Sequence, residues 1–260
     1  MFEAKLDEAA GFKKIIEAIR DMIGECNFDC SEGGIALQSL DKSHIVLVSL
    51  LLGPEAFIEY RCDHALTLGV NVASLGTVLR CGGNEDQLTL HSEDKPGELA
   101  VTFEDTKHDR ISEFNIRLMD IDQEYLSIPE TEYTASITMP SADLQKILRD
   151  LKQLSESVVI SADKEEVVFS AEGDMGKGAI HVRPVTNTED TDASVSINIA
   201  EPVTLSFNLQ YFNNITKASS LSSTVTLQLA EGTPASVEYK LPNGHVRYYF
   251  APKIDNGDDE

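Results

Sequence analysis

The sequence has no tryptophan, only four cysteines, and 21 basic residues against 44 acidic ones. It carries no aromatic stacking platform for single-stranded nucleic acid, and no helix-turn-helix or zinc-finger pattern for reading bases. No apolar run is long enough to span a bilayer, and Met1–Asp7 lacks the charged-then-apolar order of a secretory signal. Lys/Arg clusters of the simple nuclear-import type are missing too. Cys26 and Cys30 stand four apart, but no Cys/His pair follows at zinc-site spacing. With Cys62 and Cys81 they are expected to be free thiols in a reducing compartment.

Catalytic patterns are equally scarce. Gly173–Gly178 (GDMGKG) has the outline of a phosphate-binding loop, yet Ala171 stands where its first glycine belongs and Gly178 replaces the hydroxyl residue. His91-Ser92-Glu93 matches a deaminase H-x-E without the P-C-x-x-C that must accompany it. The acidic clusters lack the spacing of a calcium loop. Asn214-Ile215-Thr216 is a glycosylation triplet in a chain without a secretory pattern. No GxSxG and no Ser/His/Asp set stands out. The expectation is a protein without enzymatic activity, metal or cofactor.

What the chain does have is a repeat. At 260 residues, 42% hydrophobic and 25% charged, it fits one large or two ordinary domains. Most segments alternate apolar and polar residues between turn signals, as half-buried antiparallel strands do: Ile45–Leu51, Leu66–Val72, Gln87–His91, Leu99–Phe103, Val195–Ile199, Thr204–Leu209, Thr224–Leu229 and Ser236–Leu241. Four segments have helical spacing instead: Gly11–Met22, Val72–Cys81, Ser141–Gln153 and Leu209–Ala218. A shift of 132 positions lays Phe12, Ile15, Ile16 and Ile19 on Leu144, Ile147, Leu148 and Leu151. A shift of 137 lays Leu68–Val72 (LGVNV) on Leu205–Leu209 (LSFNL), and Leu75 and Val78 on Phe212 and Ile215. The chain is two copies of one α+β unit, each with two helices and many strands. The expected divisions are 1–119, an acidic linker at 120–133, 134–255, and an acidic tail at 256–260 that is expected to be disordered.

A net charge of −23 repels a polyanion if it is spread evenly. It is not. The four helical segments hold Lys13, Lys14, Arg20, Arg80, Lys146, Arg149, Lys152 and Lys217 against four acidic residues, a net of +4, which leaves −27 on the remainder. Lys14 corresponds to Lys146 and Arg80 to Lys217, while Lys13, Glu17 and Arg20 fall on Gln145, Arg149 and Lys152. Positive charge therefore recurs at equivalent places in both copies. Such faces suit sequence-independent contact with phosphates.

Collinear motifs give the pattern a family. MFEAKL at the start, Leu37–His44 (LQSLDKSH), Tyr60–Asp63 (YRCD), Leu68–Asn71 (LGVN), Cys81–Asp86 (CGGNED), Leu118–Asp122 (LMDID), Ile128–Tyr133 (IPETEY), Leu221–Leu227 (LSSTVTL), Val237–Lys240 (VEYK) and Tyr248–Ile254 (YYFAPKI) resemble the proliferating cell nuclear antigen family along the whole chain. The resemblance implies the DNA-clamp fold: two repeated domains, each with two helices packed on antiparallel sheets, and three chains closing into a six-domain homotrimeric ring. It implies a sliding clamp and processivity factor around duplex DNA, with a checkpoint-type heterotrimeric clamp subunit as the alternative.

Further implications follow from the same likeness. The eight basic residues above become DNA contacts, although Thr77 stands where a lysine is common. Arg110–Arg117 and Gly176–Arg183 match the strands that pair between subunits. Leu40, His44, Ile45, Leu47, Leu126, Ile128, Tyr133, Pro234, Tyr249, Phe250, Ala251 and Pro252 match a pocket for peptides bearing a glutamine, an aliphatic anchor and two aromatic residues. Phe250 replaces a residue that is commonly leucine. Lys164 matches a site of ubiquitin or SUMO attachment, linked to translesion synthesis. Implied partners are a clamp-loader ATPase, DNA polymerases, flap endonuclease, DNA ligase and other proteins with that peptide motif (the PIP box), in the nucleus and without a membrane.

Overall fold

The computed structural model describes residues 1–94, 97–128, 131–186 and 189–253. The expected acidic tail at 256–260 lies outside them. The chain divides into two compact units, one of Met1–Ser127 with Leu241–Val246, the other of Ile128–Lys240 with the chain from Arg247 onward.

The first unit runs β1 (Phe2–Leu6), α1 (Ala9–Ile19), β2 (Glu25–Ser31), β3 (Gly34–Leu40), β4 (Val46–Leu52), β5 (Glu59–Cys62), β6 (Leu66–Asn71), α2 (Val72–Leu79), β7 (Gln87–Ser92), β8 (Glu98–Asp105) and β9 (Arg110–Arg117). Its strands lie in the orders β5-β1-β7-β8-β9 and β4-β3-β2-β6. The second runs β10 (Ala135–Pro140), α3 (Ser141–Leu151), β11 (Ser157–Ala162), β12 (Val167–Gly173), β13 (Gly176–Val182), β14 (Ser196–Ile199), β15 (Val203–Asn208), α4 (Leu209–Ile215), β16 (Thr224–Leu229), β17 (Ala235–Leu241) and β18 (Gly244–Phe250). Its orders are β14-β10-β16-β17-β18 and β13-β12-β11-β15. Adding nine to each strand number of the first unit gives the second. The duplication seen in the sequence is thus a duplication of topology.

The helices form where apolar spacing demands them. Phe12, Ile15, Ile16 and Ile19 of α1 are buried, as are Leu144, Ile147, Leu148 and Leu151 of α3. Each such side chain contributes about 1.5–3 kcal/mol on leaving water. The matched asparagines of LGVNV and LSFNL turn out to be N-caps: Asn71 Oδ1 accepts from the Ser74 amide at 2.9 Å, and Asn208 Oδ1 from the Gln210 amide at 2.8 Å. The first helix begins at Ala9, two residues before the segment expected from its periodicity. The reason is tertiary: the amides of Ala9 and Ala10 donate to the carbonyls of Asp86 (2.8 Å) and Asn84 (3.1 Å), so the first turn is capped from a distant loop. Asp86 is itself buried and accepts from the Gly83 amide at 2.6 Å. At its other end α4 tightens into a 3₁₀ turn, Thr216–Ser220, rather than continuing as α-helix.

In the second unit the rings of Phe207 and Phe212 stack, 5.7 Å apart and 8° from parallel, and Phe250 lies 4.9 Å from each. Tyr239 and Tyr248 are fully buried with their rings edge to face at 6.3 Å. Neither phenol has a hydrogen-bond partner among the described residues, and burial pushes both hydroxyls far from ionisation. Both hydroxyls therefore carry a desolvation cost with nothing to offset it. Tyr239→Phe and Tyr248→Phe are each expected to leave urea-unfolding stability unchanged or raise it by up to about 1 kcal/mol. A loss of more than 1 kcal/mol in either would show that an ordered water or another group serves the hydroxyl.

Candidate nucleic-acid interface and partner cleft

The helix stripes that face the cores decide which residues remain outside. In the first unit Lys14 and Arg80 are exposed and Arg20 is half-buried. Gly76 of α2 brings that helix close to α1, its missing Cβ being 3.7 Å from Ile16 Cγ2. The Arg20 guanidinium Nε lies 3.7 Å from Asp21, and Arg80 donates to the Thr77 hydroxyl at 3.1 Å. Thr77 accepts from Arg80 and donates in turn to the Ala73 carbonyl at 2.9 Å. In the second unit Lys146, Arg149, Lys152 and Lys217 are exposed, with Arg149 3.7 Å from Asp150 and Lys152 donating to Gln210 at 2.6 Å.

Lys13 behaves differently from the rest of the predicted set. Its ammonium donates to the carbonyls of Gly82 (2.6 Å) and Gly83 (2.8 Å) and to Asn84 Oδ1 (3.3 Å), and lies 5.8 Å from the Phe103 ring centroid. Burial lowers its pKa, with Asp86 and Glu17 opposing. The glycines are required here: a Cβ on Gly82 would stand 2.1 Å from the Phe103 ring. Gln145, the counterpart of Lys13, reaches the Thr216 carbonyl at 3.0 Å. In both units this helix position ties the longer helix to the chain leaving the shorter one. Lys164 is exposed in the turn between β11 and β12, where Asp163 Oδ1 accepts from the amides of Glu165 and Glu166.

The predicted pocket residues divide between the units. In the first, a cleft of about 290 Å³ is lined by Leu40, His44, Leu47 and Leu126 together with Gln38 and the chain at 121–124. Ile45 is 43% exposed and Leu126 41% exposed, high values for aliphatic side chains. The loop that carries His44 and Ile45 is built on buried Asp41. Its carboxylate accepts from the amides of Ser43 (3.1 Å), Ile45 (2.7 Å) and Val46 (2.8 Å) and from the Ser43 hydroxyl. That wrapping holds His44 at φ 58°. Burial pushes the Asp41 carboxyl up, but the Ser43 hydroxyl and the three amides together hold it below the ordinary aspartate value.

The chain at 119–126 is fastened to the same unit by residues outside the predicted site set. Met119 forms a bridge with Gly69 of β6, its amide donating to the Gly69 carbonyl at 2.8 Å. A Cβ on Gly69 would lie 2.1 Å from the Met119 carbonyl oxygen. Asn27, Asp29 and Gln38 then bond to the chain at 121–126. Nothing in the spacing of these polar residues on β2 and β3 distinguishes them from ordinary solvent-facing positions.

In the second unit the Tyr133 hydroxyl donates to the Pro234 carbonyl at 3.3 Å, and burial raises its pKa. Tyr249 and Pro252 are half-buried, Pro234 and Ala251 exposed, and Ile128 36% exposed. The Lys253 amide donates to the Ser206 carbonyl of β15 at 2.7 Å, which fastens the chain there to that strand. Phe250 stands apart: it is 2% exposed and belongs to the aromatic cluster with Phe207 and Phe212. Strand alternation carried the signal, since Val246, Tyr248 and Phe250 share the buried face of β18 while Arg247 and Tyr249 share the other.

Duplicated sheets, basic exposed helix faces and a cleft walled by the chain at 121–126 fit a subunit of a ring-forming DNA clamp. Family profiles agree: the proliferating cell nuclear antigen N-terminal domain matches residues 1–125 and its C-terminal domain residues 127–254. The chain is 51% identical over 261 residues to the proliferating cell nuclear antigen of Chaetomium thermophilum, covering all of both chains. It is 43% identical over 256 residues to that of Saccharomyces cerevisiae, covering 98% of this chain and 99% of the other. The chain belongs to the proliferating cell nuclear antigen family. It is a DNA sliding clamp without enzymatic activity, a DNA-associated processivity factor that acts as a homotrimer and tethers polymerases and other PIP-box proteins. Nothing in these matches favours a checkpoint-type heterotrimeric subunit.

Two consequences are measurable. The depressed Asp41 carboxyl stabilises the fold fully above about pH 4 and loses that contribution as pH falls through its lowered folded value. Asp41→Asn is expected to be about 1–3 kcal/mol less stable at pH 7, with the deficit shrinking below about pH 4 in urea melts; a deficit constant down to pH 3 overturns the assignment. Lys13→Met is expected to lower stability by about 1–2 kcal/mol through the lost loop contacts, whereas Lys14→Met, at an exposed position, should change it by less than about 0.5 kcal/mol.

Proposed function

We propose that Lys14, Arg20, Arg80, Lys146, Arg149, Lys152 and Lys217 face the phosphates of the encircled duplex, with Lys13 holding the loop beside them. The observation that carries this reading is the segregation of charge: +4 on the helical segments and −27 elsewhere, with basic residues at equivalent positions in both units. Contacts of exposed Lys and Arg with phosphate are sequence-independent and exchange rapidly with salt, which is the behaviour a sliding ring needs.

The remaining assignments follow the same logic. Strands β9 and β13 are terminal in their sheets and so have a free edge to offer a neighbouring subunit. Beside β13 lies a groove of about 570 Å³ lined by Val159, Ala171, Gly178 and Ala179, suited to an apolar side chain from β9 such as the half-buried Phe114. The cleft of the first unit at Leu40, His44, Ile45, Leu47 and Leu126 receives apolar anchors of partner peptides, among them segments of polymerases, flap endonuclease, DNA ligase and the clamp loader; in the second unit Ile128, Tyr133, Pro234, Tyr249, Ala251 and Pro252 are assigned to the same task. Phe250 supports that wall from within. The linker is the stretch 120–133. Exposed Lys164 is the attachment point for ubiquitin or SUMO during translesion synthesis. The protein works in the nucleus.

The deciding experiment loads the protein onto nicked circular DNA with a clamp-loader ATPase and then linearises the circle. The clamp is expected to stay on the circle and to slide off the linear form; equal retention on both sinks the reading. Reversing Arg80, Arg149 and Lys217 to glutamate should reduce loading and flatten the salt dependence of DNA affinity while trimer mass stays unchanged. Loss of the trimer in that variant counts against the assignment of these three residues to the DNA face.

A further inference from the structure

We infer that Gln38 is the positioning residue of the partner cleft: its side-chain amide latches the linker to β3 and sets where Leu126 stands. The inference rests on the reading of that cleft as a peptide-binding surface, and concerns what holds it open and in shape.

The geometry is a two-point clasp. The Leu126 amide donates to Gln38 Oε1 at 2.7 Å, and Gln38 Nε2 donates to the Leu126 carbonyl at 2.8 Å. One primary amide thereby satisfies both backbone groups of one residue, much as a neighbouring strand would. The Gln123 side-chain amide donates to the main-chain carbonyl of the same Gln38. Upstream, Asn27 Nδ2 donates to the Ile121 carbonyl at 3.0 Å, and the Tyr125 hydroxyl donates to the Asp29 carboxylate, 2.8 and 2.9 Å from its two oxygens. Asp29 also accepts from the Thr67 hydroxyl at 2.9 Å, which holds the carboxylate in place.

A segment that satisfies its backbone this fully has no need to bury its side chain, and Leu126 does not: it remains 41% exposed at the cleft. Ordering an aliphatic residue at the surface costs conformational entropy and gains no burial in the free protein. The return comes when a partner covers it, because a wall already held in its bound position forms no part of the ordering cost of binding. Gln38 contributes this without lying among the apolar anchors themselves. The tyrosine–aspartate contact steadies the same stretch one residue earlier.

The test uses the full-length trimer and a fluorescent synthetic peptide bearing glutamine, an aliphatic anchor and two aromatic residues. Gln38→Ala is expected to speed hydrogen exchange at the Leu126 amide and to weaken peptide binding by about tenfold, the scale of one or two lost hydrogen bonds. Tyr125→Phe, which removes a single surface hydroxyl and leaves the core intact, should give a smaller loss in the same direction. Trimer mass and retention on circular DNA should match the parent in both. Leu126→Asp provides the separate check on the cleft. If Leu126→Asp abolishes binding while Gln38→Ala stays within twofold of the parent, the latch inference fails and the cleft reading stands. If Leu126→Asp binds as well as the parent, the cleft reading fails and the latch inference goes with it. Unchanged exchange at the Leu126 amide in Gln38→Ala also overturns the inference, whatever the affinity.

Discussion

The burial of Phe12, Ile15, Ile16 and Ile19 on one side of α1, and of their counterparts on α3, commits one stripe of each helix to its core. With 3.6 residues per turn, the opposite face is then fixed as the place for charge. Lys14 and Lys146 are where they are because their neighbours in sequence could not be anywhere else. The sheets depend on the same burial, since their inner faces are completed only when the helices cover them. An electrostatic surface of this kind is a by-product of packing: the core chooses the face, and composition then decides its sign.

That division explains how a chain with net charge −23 can work on DNA. Acidic residues placed away from the helices oppose adventitious binding of nucleic acid, and the few basic ones need supply only weak, exchangeable contacts. Strong pairing would be a disadvantage in a ring that has to move. Among the basic residues proposed for the DNA face, Arg20 lies beside Asp21 and Arg149 beside Asp150, and Lys152 donates to Gln210. Topology holds the clamp on the duplex, so affinity does not have to.

Much of the fold could be read from the sequence because its signals are local and repeated. Period-2 and period-3.6 patterns located strands and helices within a few residues, and strand β16 spans Thr224–Leu229 as expected. The two matched asparagines aligned within the repeat, and their capping role is visible only in the structure. What escaped were features whose causes lie far away along the chain. The first turn of α1 is capped by carbonyls of residues 84 and 86, and Lys13 is held by the loop that begins at Gly82. Leu40, Leu47 and Leu126, named through resemblance, line one cleft, whereas Gln38, Asn27 and Tyr125 were not among the residues expected there. These polar side chains differ from their neighbours only in what happens to face them.

The correspondence of Lys13 with Gln145 has a bearing on symmetry. One helix position performs one task in both units, yet a cation performs it in the first and a neutral amide in the second. A ring of three such chains contains six units of the same topology and only three lysine clasps. Its order is sixfold in architecture and threefold in chemistry. Loss of the amine at this one helix position changes the clasp in three of the six units and leaves the amide clasp of the other three as it was. The duplicated chain therefore retains, within one shared topology, a way for its two halves to be told apart.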